Sequence, residues 1–169
     1  MPQYLYGITS VKYGTAATGL GNFPSGVLLT TAPNTVKGSV AIEETEGTTA
    51  EFFVDQQATP VKRTKTEEAK LTAKMEFYDV TFATLAAFKG GTGNASGYTP
   101  ATGYSSIDLA LELNLDSGER VHIHNASCVT QITGGGGRDK LWSFKVSAIP
   151  QMTTDNTASW RIYKYGPII

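Results

Sequence analysis

His122 and His124 stand two residues apart in the stretch "RVHIHNASCVTQI", and Cys128 follows at the same parity. On a strand, side chains at alternate positions share a face. Three such residues could converge on one ion, since imidazole and thiolate are zinc ligands. The set is incomplete. Cys128 lies four positions beyond His124, and no fourth ligand accompanies them. The competing reading puts Val121, Ile123 and Val129 in the core and both histidines on a wet or inter-subunit face. There, titration near pH ~6.5 would make an interface sensitive to pH. No metal and no cofactor are therefore expected, with His122, His124 and Cys128 as the nearest approach to a ligand set.

The remaining chemistry-bearing patterns are weaker. "GGGGRDK" at 134–140 lacks the GK[ST] of a phosphate loop and sits between two strand-like runs, which fits a hairpin tip. Ser, His and Asp occur without a nucleophile elbow. Glu43, Glu44, Glu46, Glu51 and Asp55 cluster, but without the paired spacing of acid–base catalysis. The sequence does not predict an enzyme.

The order of charges carries more. Five acids and no base run from Glu43 to Asp55; Lys62, Arg63, Lys65, Lys70 and Lys74 then face only Glu67 and Glu68. Two arrangements satisfy this order. The segments could form one hairpin and neutralise each other across it. Alternatively, an acidic edge of one copy meets a basic edge of the next, which builds rings or filaments. The overall net charge of −1 argues against a nucleic-acid binder held by charge alone.

The elements that must position these residues read as mostly β. The 169 residues suit one domain spanning 1–169, able to bury a real core. A single cysteine excludes an internal disulfide framework. No secretory leader is read at the start and no apolar run of about 18 residues occurs, so folding in a reducing cytosol, without a membrane, is expected. "KTEEAKLTAKMEF" is rich in helix formers. Yet Ala69, Leu71, Ala73, Met75 and Phe77 alternate strictly with Lys70, Thr72, Lys74, Glu76 and Tyr78. As a strand, every apolar residue falls on one side, so periodicity outweighs propensity. The strand is expected over 69–78, extending back toward Val61.

Upstream, alternation predicts strands over 36–46 and 50–56, with a short buried strand in "VLLT". Asp79 could cap a helix carrying Phe82, Leu85, Ala86 and Phe88, closed by Gly90 and Gly91. Residues 92–106 read as a turn-rich connection. Three further strands follow: 107–116, 120–132 and 140–149, with a hairpin turn at 117–119. "ASWRIYKYG" could add a last one. The fold class is an antiparallel β-sandwich or barrel with one flanking α-helix.

The run "VKGSVAIEETEGTTAEFFVDQQATPVKRTKTEEAKLTAKMEFYDVTFATLAAFKGGT" resembles the major tail tube proteins of tailed bacteriophages. The resemblance lies in an order of elements. It begins with the strand bearing Val40, Ile42, Glu44 and Glu46, followed by Thr48, Thr49, Glu51 and Phe52. A loop ending in Pro60 and Val61 comes next, then the long strand, then the helix "LAAFKGG". It implies a subunit of hexameric rings that stack into a hollow tube, assembled in the bacterial host cytoplasm and carried in the virion tail. It further implies that the loop near 47–61 reaches the adjacent ring. Inter-subunit contacts would then fall to Glu43, Glu44, Glu46, Glu51, Asp55, Lys62, Arg63 and Lys65. Lys70, Thr72, Lys74 and Glu76 would face the lumen.

The implied partners are the subunit itself, a tape measure protein, a tail terminator and distal tail or baseplate proteins. DNA would pass through without sequence readout. The variable loop near 92–106 and the glycines 134–137 have no counterpart in the resemblance. Two other readings are a tube protein of a contractile injection system and a carbohydrate-binding β-sandwich using Trp142 and Trp160.

Overall fold

A computed structural model describes residues 7–24, 28–52, 59, 62–67, 69–103, 106–134, 142–155 and 160–164. In chain order, the strands before the helix are β1 (Ile8–Thr15), β2 (Thr30–Thr31), β3 (Ala41–Thr45), β4 (Thr49–Phe52), β5 (Lys62–Lys65) and β6 (Lys70–Tyr78). The helix α1 (Phe82–Lys89) is followed by β7 (Thr92–Asn94), β8 (Gly97–Thr99), β9 (Ile107–Leu115), β10 (Glu119–Thr133), β11 (Ser143–Pro150) and β12 (Trp160–Lys164). The architecture is mainly antiparallel β, a sandwich-like layer with one flanking helix, as the alternation predicts.

The main sheet runs β2-β1-β9-β10-β11-β6-β3, and β12 pairs with the first half of β10. The segment that includes β2 ties the two ends of this order together. Ala32 N–H donates to Val11 O (2.9 Å) on β1, whereas Tyr78 N–H donates to Asn34 O (3.0 Å) and Val36 N–H to Glu76 O (2.8 Å) on β6. The sheet therefore curls round on itself and encloses the core.

Within β6 the pattern resolves as a strand, because only that period buries its apolar stripe. Leu71, Ala73, Met75 and Phe77 are buried, while Lys70 and Lys74 are exposed and Thr72, Glu76 and Tyr78 are half-buried. Phe77 packs on Phe144 (ring centroids 5.0 Å) and on Phe88 of α1 (5.6 Å), and Tyr13 closes on Phe88 at 4.7 Å. The helix thus plugs the barrel-like layer with one aromatic side chain.

Several boundaries differ from expectation. Ala69 is exposed and outside β6, and Thr66, Glu67 and Ala69 lie between β5 and β6 outside any strand, so no single strand runs back to Lys62; Val61 lies outside the described residues. The first alternating segment is a strand only over Ala41–Thr45. Before it, Gly38 (φ 76°) turns the chain and Ser39 exchanges hydrogen bonds with the Glu76 backbone. In "VLLT", Leu28 is exposed, Leu29 is buried, Thr30 opens β2, and Val27 lies outside the described residues.

The helix cap is Thr81, whose hydroxyl accepts from Thr84 N–H (3.2 Å), and not Asp79. Asp79 instead takes the left-handed backbone (φ 61°) that turns the chain out of β6. This is a region Asp enters more readily than most residues. Residues 92–106 are not merely a connection: β7 and β8 form a hairpin against α1, and Tyr98 Oη donates to Gly90 O (2.8 Å). Gly93 is needed there, because a Cβ would strike the Phe82 carbonyl.

Candidate functional site

β3 and β6 form a hairpin that continues past the main sheet. Their ladder pairs Ala41 with Lys74 through Thr45 with Lys70. After a one-residue shift, the same two chain segments pair again as β4 and β5, Thr49 with Lys65 through Phe52 with Lys62. Thr66 N–H and its hydroxyl both bond Thr48 O at the junction (2.9 and 3.0 Å). The result is an arm of two strands with almost every residue exposed. Phe52 is 56% exposed at its outermost described rung.

The predicted contact residues fall on this arm and its root. Glu51 pairs with Arg63 across the arm (2.6 Å), and Glu43 pairs with Lys74 across the root (2.7 Å). The neutralised hairpin, the first of the two charge arrangements, is thus present. Glu44, Glu46, Lys62 and Lys65 are exposed around it. Asp55 lies outside the described residues, as do Val61 and most of the expected loop tip.

Lys70, Thr72, Lys74 and Glu76 lie on the outer face of β6, as alternation requires. Lys145 on β11 reaches Glu76 (3.9 Å), and Ser143 Oγ donates to Glu76 Oε1 (2.5 Å). Across β3, β6, β11 and the start of β9, this face presents Lys70, Lys74 and Lys145 against Glu43, Glu76 and Asp108. Opposite signs interleave and cancel.

The histidine–cysteine set does not assemble. Between Ile123 and Ala126 the β9–β10 register shifts, so Leu111 faces Ile123 while Leu109 faces Ala126. This bulge reverses the parity of β10. Val121, Ile123, Ala126 and Cys128 all join the core, and His122 and His124 belong to the other face. An inserted residue is the one feature that alternation cannot anticipate. Cys128 is buried, and burial pushes its thiol up to about 12. Among the described residues no group of three His, Cys, Asp or Glu side chains could hold a metal ion. Val129, expected in the core, is exposed.

The histidines are not on a wet face either. Residues 16–24 cross over β9 and β10, with Ala17 N–H donating to His124 O (2.7 Å). Phe23 stacks on His122 (3.6 Å, 13° between planes) and meets His124 edge-on (5.2 Å). Beneath lies a buried carboxylate, Glu112, that sequence reasoning missed. Its Oε2 is 2.9 Å from His122 Nε2 and 3.4 Å from Arg120 Nη1; its Oε1 lies 3.4 Å from Lys12 Nζ and accepts from Asn114 Nδ2 (3.3 Å). Burial pushes the Glu112 carboxyl up, but the His122 hydrogen bond and the Arg120 and Lys12 charges prevail and leave it below the usual range. Burial holds His122 down at about 4 against the opposing pull of Glu112. The available signal was Asp108, Glu112 and Asn114 at alternate positions of an otherwise aliphatic strand.

No family model matches the chain, and no curated protein matches it significantly. Its functional reading therefore rests on its own residues. No described helix is long and apolar enough to cross a membrane.

Proposed function

We propose that the chain is a tube-forming structural subunit: copies join into stacked rings, hexameric by the resemblance, that make the tail tube of a bacteriophage and pass DNA during ejection. The observation that carries this reading is the β4–β5 arm. A two-stranded ribbon without a core is marginal in water. This one continues from a strand built into the main sheet and carries an exposed Phe52 outward. Such an arm fits a binding partner better than it fits solvent.

The opposite end of β6 supports the same reading. There Val80, Phe82, Leu85, Ile132, Trp142 and Phe144 line an apolar groove of about 190 Å³; Trp142 is largely exposed, and Phe82 and Ile132 are nearly half exposed. An arm at one end of a strand and an apolar groove at the other suit head-to-tail contact, which closes into rings or extends into stacks. The balanced outer face of β6 and β11 suits a channel wall, because a net basic surface would retain DNA.

In this reading the partners are further copies of the chain, a tape measure protein, a tail terminator and distal tail or baseplate proteins. Its place is the virion tail after assembly in the host cytoplasm. A tube of a contractile injection system would use the same arm. Of the two tryptophans a carbohydrate platform would need, Trp160 packs against the core, leaving Trp142 exposed. Sedimentation velocity over a range of concentrations tests the proposal. Growth to large species that disappears when residues 49–65 are replaced by a short turn supports it. Concentration-independent sedimentation of the intact chain as a monomer overturns it.

A further inference from the structure

We infer that residues 16–24 form an acid-released strap, which lifts off β9 and β10 when His122, stacked beneath Phe23, takes up a proton. The strap carries no charged side chain, yet it covers a charged floor. Lys12 comes from β1, Glu112 from β9, and Arg120 with His122 and His124 from β10; Arg161 of β12 stands opposite His122 in the ladder. With His122 neutral, Lys12 and Arg120 already pair with Glu112. A proton on His122 would place another positive charge under an aromatic cover and beside Arg161 and Arg120.

The attachment of the strap is local. Ala17 N–H bonds the carbonyl of His124 within the bulge, and Thr18 O accepts from Asp155 N–H (3.2 Å). Gly19 passes so close to the Asp155 carboxylate that a Cβ would overlap it. Phe23 adds its stack on His122 and its edge contact with His124. None of these ties belongs to the core around Phe77 and Phe144, so the strap can open while the sheet stays folded.

The sign follows from linkage. Closure holds His122 at about 4. Opening returns it to water and so toward the ordinary value of about 6.5. The open state therefore binds the extra proton, and its population rises as pH falls through the ordinary histidine range, by up to about tenfold per pH unit.

Amide hydrogen exchange of the full chain, read residue by residue by NMR, tests this. From about pH 7.5 to about pH 4.5, the protection factor of Ala17, corrected for intrinsic exchange, should fall about tenfold or more. Protection of Met75 and Leu111 should stay far above that of Ala17 at every pH, because these amides open only with the whole chain. The His122→Gln/His124→Gln variant should keep Ala17 protection nearly constant with pH. Three results would overturn the inference. One is unchanged Ala17 protection in the native chain. The second is Ala17 protection equal to that of Met75 and Leu111 at every pH, which means that the strap opens only with global unfolding. The third is the same pH-dependent loss in the variant. Should the double variant not fold, the native pH series decides alone.

Discussion

Glu112 Oε2 and His122 Nε2 lie 2.9 Å apart on adjacent strands, as directly opposed partners in the β9–β10 ladder. Both side chains are almost wholly buried, at 4% and 6% exposure. The pair can exist there only because Lys12 and Arg120 neutralise the carboxylate and His122 stays uncharged.

Removing the carboxylate should therefore cost more than an ordinary surface charge. Glu112→Ala leaves Lys12, Arg120 and His122 without their shared anion. Its unfolding free energy in urea should drop by about 3–5 kcal/mol. A drop below about 1 kcal/mol would mean that water replaces the carboxylate freely.

Stability should also depend on pH through the same pair. His122 is depressed to about 4 in the folded chain. An unfolded histidine takes up its proton near pH 6.5, so acid favours the unfolded chain between these values. Glu112, also held low, acts in the same direction further down in pH. Native stability is expected to be full above about pH 6.5 and to fall toward pH 4, by up to about 3 kcal/mol for His122. In thermal melts the native chain should lose stability between about pH 6.5 and 4, and His122→Gln should lose much less over that range.

The strand reading of β6 separates two neighbouring positions. Leu71→Asp puts a charge against the core side and should destabilise by about 3 kcal/mol or more. Thr72→Asp points outward opposite Glu43, and like charges across a ladder cost only about 1 kcal/mol or less. Equal losses in urea denaturation would contradict the assigned faces.

These two positions also show what the sequence could tell. The alternation of Leu71 to Phe77 was legible because one face meets the core and the other meets water. The same logic misplaced Cys128, because a bulge at residues 124–125 slips the pattern by one. Glu112 escaped notice for a different reason. A buried carboxylate needs partners from β1, β10 and a distant strap, and none of those proximities is local in sequence. The arm was legible as a charge order, though its detachment from the sheet was not.

Cys128 should be chemically silent. Its thiol is buried and pushed up to about 12, chiefly by burial and then by Asp108. Thiol reagents at about pH 8 should leave the native chain unmodified and label it fully in denaturant. The sign in alkali follows as well: an unfolded thiol ionises near pH 8.5, so stability should decline as pH rises from there toward 12. Rapid labelling of the folded chain would place Cys128 outside the core.

Phe52→Ser removes an apolar side chain that is already largely exposed, so the subunit's own stability should change by no more than about 0.5 kcal/mol. Assembly should weaken sharply, read as a rise in the concentration needed for large species in light scattering. Unaltered assembly would remove Phe52 from the interface.

Negative-stain electron microscopy of the concentrated, purified chain bears most directly on the central claim. The account predicts rings or hollow tubes of uniform diameter, lost when residues 49–65 are shortened to a turn. A field of single compact particles at every concentration would contradict it.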